Sequence, residues 1–206
     1  MNYLKYKQEH ETGYLKVIIG PMFSGKTTEL MRIYNKYNSC DIKCCVINHI
    51  SDDRYDKEKM CNHNGVALPS FNYKTLSPCL QLVGNYDIFL INEGQFFDDL
   101  YDIVNILVNM HKKRVYVCGL DGDYKRRKFG SILDIVPLCD EVTKLKAICK
   151  RCKKNSAIFT HRLSNEQEQT VIGSDNYVSL CRNCYNMNNM STTPPPSARY
   201  SANTNV

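Results

Sequence analysis

The chain has 206 residues and a net charge of +6 at neutral pH, and 43% of its residues are hydrophobic. This length suits one self-supporting α/β domain with a small appendage. The basic charge suits anionic partners such as nucleotides, but nucleic-acid binders usually carry a denser basic stripe, so charge alone decides little. The absence of an apolar run of about 18 residues and of an export signal argues against a membrane partner. The eleven cysteines are therefore expected in a reducing, cytoplasmic compartment, where thiols are buried or bind metal.

A glycine-rich stretch near the start has the spacing of a phosphate-binding loop. Two glycines five residues apart are followed by a lysine and a hydroxyl residue, in the order Gly20, Pro21, Met22, Phe23, Ser24, Gly25, Lys26 and Thr27. Glycines let successive N–H groups turn towards a phosphate, the lysine adds a point charge, and the threonine hydroxyl can reach Mg²⁺. A buried strand is predicted over residues 14–19 and an amphipathic helix over 28–34. Strand, loop and helix therefore follow in the required order.

Further apolar segments have the character of buried strands. They cover residues 41–48, 66–68 together with 71–73, 86–93 and 114–119. Because helical or turn-rich segments separate them, they predict a parallel, doubly wound α/β sheet. The strand at 86–93 ends in Asn92 and Glu93, and groups that meet the metal or the attacking atom collect at the carboxyl ends of such strands.

The connections between these strands carry their own signals. Residues 49–64 are charged and turn-prone, which favours a solvated loop. The Ser-Pro pair at 77–78 predicts the start of a short helix, and the Asp-Asp pair at 98–99 predicts the cap of a helix over 100–108. Residues 132–137 predict a helix that stops at its proline.

Two Cys-x-x-Cys pairs form a second strong signal. Cys149 and Cys152 make the first pair, Cys181 and Cys184 the second, and residues 153–180 lie between them. Two residues between paired cysteines let both sulfurs reach one ion, and two such pairs complete a tetrahedral four-thiolate zinc shell. A complete shell leaves no open position, so this zinc is expected to be structural. A redox role fits less well because it needs only one pair.

These signals divide the chain into four parts. Residues 1–13 form a lead-in, 14–143 a phosphate-loop nucleotide-binding domain, 144–185 a small zinc lobe and 186–206 a tail. The tail is polar, proline-rich and nearly uncharged, which predicts disorder.

Two function classes fit this organisation. In a small-molecule kinase, the zinc lobe would cover the acceptor. In a zinc-containing ATPase acting on nucleic acid, the lobe and its lysines would grip a strand. Size favours the kinase, because little chain remains for a strand-length groove. Glu93, with Phe96 and Phe97 just beyond it, also offers a base and a ring-stacking wall.

Several motifs in family order resemble the zinc-containing thymidine kinases of animals, bacteria and large DNA viruses. The similarity runs from about residue 15 to 185 and rests on both cysteine pairs and on residues 18–30, 52–55, 93–97, 120–122 and 159–163. It implies a RecA-like fold, Mg²⁺-dependent transfer of the ATP γ-phosphate to the 5′-hydroxyl of thymidine, and a homotetramer. The implied partners are ATP and thymidine, with no nucleic acid and no membrane.

The resemblance also implies roles for individual residues. Glu93 matches the general base, and Thr27 matches the Mg²⁺ ligand. The ATP contacts would come from the phosphate loop and from Asp52, Asp53, Arg54, Asn92, Glu93, Gly94 and Gln95. The thymidine contacts would come from Met22, Phe96, Leu120, Tyr124, Phe129, Thr160, Val171, Ile172, Gly173 and Tyr177. The segment between the cysteine pairs matches the family's lasso, a loop that closes over the base and reads its edge partly through backbone groups.

The sequence departs from the family pattern at three places. Asn92 stands where the family usually has Asp, and because asparagine brings no negative charge, we expect weaker use of Mg²⁺. The lasso tip at 171–177 is one residue shorter than the usual form. Tyr124 stands where phenylalanine is common, which adds a hydroxyl near the base. Because zinc would anchor both ends of the lasso, we expect its loss to impair thymidine binding while sparing the phosphate loop.

Overall fold

The computed structural model of the chain describes residues 12–51, 59–61, 65–171 and 173–189. The strands are β1 Tyr14–Ile19, β2 Cys44–His49, β3 Lys59–Cys61, β4 Ala67–Pro69, β5 Phe71–Tyr73, β6 Ile88–Ile91, β7 Arg114–Gly119, β8 Glu141–Lys144, β9 Ala147–Ile148, β10 Ser156–Ala157, β11 Phe159–Arg162 and β12 Tyr177–Leu180. The α-helices are α1 Lys26–Asn38, α2 Leu100–Asn105, which continues as a π-helical turn over Ile106–Met110, and α3 Arg182–Asn189. Short 3-10 helices cover Ser77–Leu82, Gly94–Phe96 and Val136–Leu138. In these described ranges no helix has both the length and the apolarity needed to cross a bilayer.

A six-stranded parallel sheet forms the centre of the fold, in the order β5-β2-β6-β7-β1-β8. Successive side chains of a strand point to opposite faces. Leu15 and Val17 of β1 therefore pack with Leu100 of α2 on one face. Ile18 of β1 packs with Leu30 of α1 on the other face. Helices cover both faces, which confirms the predicted parallel, doubly wound α/β sheet.

A smaller lobe with its own core follows β8. It contains the antiparallel pairs β9–β10 and β11–β12, and α3 closes it. Its buried core consists of Cys149, Ala157, Leu180, Cys181, Cys184 and Tyr185. The cysteines are thus the centre of this lobe, as expected for a fold that depends on a metal ion.

The helix predicted over residues 132–137 is wrong. Residues 131–135 form turns, and the 3-10 helix that follows them includes Pro137. The N–H of Asp134 bonds the carbonyl of Ser131, and the N–H of Val136 bonds that of Leu133, so the ladder joins residues three apart. The segment lies between Gly130, with a φ of 57°, and Pro137, which has no N–H to donate. Pro137 therefore cannot supply the N–H that an α-helix would need at its position, and the segment forms turns and a 3-10 helix instead.

The predicted cap at Asp98 and Asp99 is also wrong in its chemistry. Asp99 precedes α2, but its side chain makes no capping bond there. Its carboxylate accepts hydrogen bonds from the N–H groups of Leu76 and Ser77, at 2.8 and 2.9 Å. Asp99 therefore fixes the start of the 3-10 helix over 77–82, in which Pro78 occupies the first turn as predicted.

The region predicted as a loop over residues 49–64 contains a strand. Strand β3 pairs antiparallel with β4, and Met60 between them is fully buried. The two apolar pieces at 66–68 and 71–73 belong to different sheets. Strand β4 pairs with β3, whereas β5 joins the edge of the main sheet next to β2. Most residues around Met60 are polar or charged, so the sequence pattern did not indicate that its side chain is buried and anchors a short hairpin.

Candidate functional site

The carboxyl ends of the central parallel strands meet at one edge of the sheet, as the topology requires. Strand β1 leads into the phosphate loop, and β6 leads into Asn92 and Glu93. Strand β7 leads into Leu120 and the loop that follows it. Three segments that the sequence predicts to be functional are thus brought together by the sheet.

The phosphate loop depends on its glycines and on the start of α1. Gly20 has a φ of 152°, and a Cβ atom there would lie 2.5 Å from the carbonyl oxygen of Leu145. The Nζ of Lys26 donates to the carbonyl of Pro21, 2.8 Å away. The hydroxyl of Ser24 is buried and has no hydrogen-bond partner among the described residues. A buried donor at a helix N-terminus fits an anionic ligand such as phosphate.

Thr27 and Asn92 are joined directly behind the phosphate loop. The hydroxyl of Thr27 donates to Oδ1 of Asn92 at 3.3 Å. The same oxygen accepts from the thiol of Cys118 at 3.0 Å, and the amide nitrogen of Asn92 donates to Asn48 at 2.9 Å. Because Thr27 gives its hydrogen to Asn92, its lone pairs remain for an oxygen-seeking cation such as Mg²⁺. Asn92 is completely buried, so it acts on the site through Thr27.

Glu93 has a strained backbone. Its φ is 52°, in the left-handed region that costs a side-chain-bearing residue about 1–3 kcal/mol and is often found at functional sites. Its carboxylate accepts a hydrogen bond from the amide of Gln95 at 2.7 Å. Gln95 in turn accepts from the N–H of Leu120 at 2.9 Å. The buried Gln95 therefore links the predicted base to the predicted nucleoside wall.

One cavity joins the phosphate loop, Glu93 and the lasso, which in the structure is the loop over residues 163–176 between β11 and β12. The sequence-predicted residues that line it are Met22, Phe23, Gly25, Lys26, Thr27, Glu93, Gln95, Phe96, Leu120, Tyr124, Phe129, Thr160, Val171, Gly173 and Tyr177. The rings of Phe96 and Phe129 meet edge to face with centroids 5.4 Å apart. The two rings thus pack against each other and form an aromatic side of the cavity that Glu93 also lines.

Other predicted residues lie outside the cavity lining. They are Gly20, Pro21, Ser24, Asn92 and Gly94, which lie within two residues of lining residues in the sequence. A Cβ atom at Gly94 would lie 2.6 Å from Val117, which explains the glycine by packing. Asp52, Asp53, Arg54 and Ile172 fall outside the described residues, and so do most of the predicted lead-in and tail.

The lasso is held by donors that the sequence did not reveal. Arg162, which is 3% exposed, donates to the carbonyls of Glu166, Glu168 and Gln169 at 3.1, 2.6 and 2.9 Å. Its guanidinium also lies 3.8 Å from the ring centroid of Tyr124. Arg162 lies in the segment 159–163 that resembles the family, but the residue types of that segment do not indicate that its partners are carbonyls of the lasso.

Asp123 is a second residue that the sequence did not single out. Its carboxylate is buried, accepts from the N–H groups of Lys125 and Arg127, and accepts from the amide of Gln169. It therefore joins the loop after β7 to the lasso. Further cavity-lining residues that were not predicted are Thr28, Ser51, Gly122, Gln169, Thr170 and Ser174.

The four predicted cysteine ligands converge in the lobe. The sulfur atoms of Cys149, Cys152, Cys181 and Cys184 all lie within 4.8 Å of one another, and those of Cys152 and Cys181 are 3.9 Å apart. Tetrahedral zinc with bonds of about 2.3 Å places sulfurs about 3.8 Å apart. Burial disfavours the thiolate of Cys149, but N–H groups of Cys152, Cys181 and Arg151 outweigh it and lower the pKa to about 6. The donor set fits a closed, structural zinc site.

The motifs and the geometry agree with the similarity to known proteins. Residues 13–185 match the family described as thymidine kinase. The chain is 39% identical to the sheeppox virus thymidine kinase over 174 residues, which cover 84% of this chain and 97% of that protein. It is 40% identical to human cytosolic thymidine kinase over 174 residues, covering 84% and 73%, and 38% identical to thymidine kinase 1 of Dictyostelium discoideum over 197 residues, covering 92% and 86%. The chain therefore belongs to the thymidine kinase family.

Proposed function

We propose that this chain transfers the γ-phosphate of ATP to the 5′-hydroxyl of thymidine, giving dTMP for the synthesis of DNA precursors. The observation that carries the proposal is the single cavity that joins a phosphate loop, a carboxylate and an aromatic side. Donor phosphates on the loop and a nucleoside against the aromatic side would meet beside Glu93. The three relatives named above are all thymidine kinases, which supports thymidine as the acceptor.

Glu93 is the proposed general base. Phosphoryl transfer needs positioning and charge neutralisation more than covalent chemistry, so one base at the acceptor hydroxyl suffices. The carboxylate accepts from Gln95, which orients it at the cavity lining, where an acceptor hydroxyl would lie. Glu93 takes the 5′-hydroxyl proton as that oxygen forms its bond to the γ-phosphorus, and the bond to the ADP oxygen breaks.

Lys26 and Thr27 are proposed to hold the donor. In the described conformation Lys26 bonds the carbonyl of Pro21, so its Nζ must turn by a rotamer change to meet phosphate oxygens. Thr27 would bind Mg²⁺ through its hydroxyl oxygen, oriented by Asn92. When bound, Mg²⁺ would neutralise the charge that develops on the phosphates. Asp52, Asp53 and Arg54 are proposed to add to the phosphate site on the strength of the resemblance.

The lasso is proposed to read the thymine edge. Arg162, Tyr124 and Tyr177 bind lasso carbonyls, so the remaining backbone groups of the lasso have fixed directions. A buried amide left unmatched by the wrong base costs about 1–3 kcal/mol, which gives such backbone recognition its specificity. Ile172 is proposed to contribute to the same wall.

The zinc is proposed to be structural, and the assembly is proposed to be a cytoplasmic homotetramer, as the resemblance implies. Four cysteine sulfurs leave no open coordination position, so zinc would support the lobe without touching the reaction. The proposed partners are ATP and thymidine, without nucleic acid or membrane.

A transfer assay tests the proposal. The full chain with its zinc is incubated with Mg²⁺, γ-labelled ATP and thymidine, deoxyuridine or deoxycytidine, and the labelled product is identified. We expect labelled dTMP as the main product. A parallel measurement of ATP hydrolysis with and without single-stranded DNA tests the nucleic-acid ATPase. DNA-stimulated hydrolysis without transfer to any nucleoside would contradict the proposal.

A further inference from the structure

The backbone of Met22 in the phosphate loop is held by two side chains of the zinc lobe. Its N–H donates to the hydroxyl oxygen of Thr160, 3.0 Å away. Its carbonyl accepts a hydrogen bond from the hydroxyl of Ser179. The lobe therefore satisfies both polar backbone groups of one residue in the loop that binds phosphate.

Thr160 and Ser179 face each other across the two strands that carry the lasso. They are paired in the antiparallel register of β11 and β12, and they are 4% and 3% exposed. Strand β11 ends at Arg162 and β12 begins at Tyr177, so the lasso connects the far ends of the same two strands. A displacement of this hairpin would carry both hydroxyls with it.

The same hairpin is tied to the cysteine cluster. The N–H of Lys150, within the first cysteine pair, donates to the carbonyl of Ser179 at 2.9 Å. Cys181, in the second pair, follows Ser179 by two residues. Ser179 thus binds the zinc lobe through its backbone and the phosphate loop through its side chain.

The hydrogen bonds from Thr160 and Ser179 to Met22 also affect the residues on either side of Met22. The carbonyl of Pro21 accepts from the Nζ of Lys26, and Phe23 has a left-handed φ of 61°. The orientation of the peptides at Met22 therefore constrains both neighbours, and the side chain of Met22 also lines the cavity. A buried carbonyl that loses its donor is far more costly than the net gain from one hydrogen bond.

We propose that Thr160 and Ser179 are positioning residues that couple the placement of the β11–β12 hairpin, and of the lasso it carries, to the shape of the phosphate loop, so that nucleoside and ATP each tighten the binding of the other. The inference rests on the proposed function, from which it takes the two ligands. Linkage requires the two factors of tightening to be equal. Coupling of this kind also makes ATP binding depend on the zinc lobe, although no cysteine is among the residues that line the cavity.

Calorimetry of the full zinc-loaded chain tests the inference. The β,γ-imido analogue of ATP is titrated without thymidine and with saturating thymidine. We expect thymidine to tighten analogue binding at least about fivefold in the wild type. In Ser179→Ala, we expect analogue binding without thymidine to weaken about tenfold and the tightening by thymidine to fall close to one. Ser156→Ala alters an exposed serine of the same lobe and should match the wild type.

A second pair of variants keeps the test decisive if Ser179→Ala loses its zinc. Thr160→Val keeps the shape of threonine but removes the acceptor for Met22, whereas Thr160→Ser keeps it. We expect the valine variant to weaken analogue binding without thymidine and the serine variant to preserve it. Zinc content and thermal melting identify any unfolded variant.

Two results would overturn the inference. One is a wild type in which thymidine does not change analogue affinity. The other is equal affinity and equal tightening in wild type, Ser179→Ala and Thr160→Val. Either result is compatible with thymidine phosphorylation by the wild type, whereas a wild type that makes no dTMP would refute the proposed function itself.

Discussion

The guanidinium of Arg162 donates a hydrogen bond to the hydroxyl of Tyr177, 2.8 Å away, and that hydroxyl donates to the carbonyl of Val171 at 2.9 Å. These two bonds connect the start of the lasso to its end. Arg162 is buried, and the hydrogen bonds described for it go to this hydroxyl and to lasso carbonyls. The lasso therefore takes its shape from one arginine as much as from its own sequence.

Substitution of Arg162 should damage thymidine binding selectively. Lysine cannot reproduce the planar fork that reaches three carbonyls and the hydroxyl of Tyr177, and a hydrogen bond from a charged group contributes about 1.5–3 kcal/mol. We expect Arg162→Lys to raise the thymidine KM about 10- to 100-fold in steady-state kinetics, with the KM for ATP changed far less. Arg182→Lys changes an exposed arginine that stacks on Phe159 and serves as the control. An unchanged thymidine KM in Arg162→Lys would mean that the hydrogen bonds of Arg162 are not needed to hold the lasso.

The hydroxyl of Tyr124 should have a smaller effect. It donates to the carbonyls of Glu166 and Gln167 at 3.2 and 3.1 Å, in an exposed setting where water can replace it. We expect Tyr124→Phe to raise the thymidine KM about two- to fivefold, because a hydrogen bond of this kind contributes about 0.5–1 kcal/mol. The stacking of Arg162 on the ring should persist. Tyr101→Phe removes a hydroxyl from an exposed tyrosine of α2 and is the matched control; equal KM values in both variants would contradict the assignment.

Asn92 tests how the metal is held. Asn92→Asp keeps an acceptor for Thr27 and adds a negative charge behind it, so we expect a lower Mg²⁺ concentration for half-maximal activity. The change also removes the donor to Asn48 and buries a charge, so a lower melting temperature is expected. Asn38→Asp, at the exposed end of α1, controls for surface charge. An unchanged Mg²⁺ requirement would show that charge at this position does not reach the metal.

Removal of zinc should affect both substrates. The sequence led us to expect that the phosphate loop would be spared, but Thr160 and Ser179 connect the lobe to Met22. We now expect Cys181→Ser, or chelation of the wild type, to weaken binding of the ATP analogue as well as thymidine. Calorimetry with each ligand checks this. Cys139→Ser, outside the cysteine cluster, is the control; loss of zinc with ATP affinity intact would favour the original expectation.

The cysteines should differ in their reactivity towards alkylating agents. The reactivity of the four cluster cysteines should also depend on whether zinc is bound. Burial raises the pKa of the thiols of Cys45 and Cys79 to about 12, and both are fully buried, so they should resist iodoacetamide at neutral pH. Cys40 is exposed and should be alkylated first. Chelation should add Cys149, Cys152, Cys181 and Cys184 to the labelled set, as read by peptide mass spectrometry. Labelling of these four at the same rate before and after chelation would contradict a zinc site.

The sequence predicted the parts of this fold whose signals are local. The apolar run before Gly20 and the glycine spacing after it specify a strand and a turn without help from distant residues. The cysteine pairs are equally local, because each pair is a self-contained knuckle. The parallel sheet follows once strands and helices alternate.

Two kinds of contact were not predicted from the sequence: bonds between residues far apart in the chain, and bonds to backbone carbonyls. Asp99 looked like a helix cap, but its carboxylate binds Leu76 and Ser77, whose position depends on the tertiary fold. The partners of Arg162 are carbonyls, and backbone groups leave no trace in a residue pattern. The same holds for the bond from Ser179 to Met22, which spans most of the chain.

The measurement that tests the central claim most directly is single-turnover transfer from γ-labelled ATP to thymidine by the wild type and by Glu93→Gln. We expect the wild type to form dTMP and the variant to be slower by about 10²–10⁴, the usual contribution of a general base, with thymidine and ATP affinities little changed. Glu29→Gln, which breaks only an exposed ion pair with Arg32, should match the wild type. A wild type that forms no dTMP, or a Glu93→Gln variant as fast as the wild type, would contradict this account.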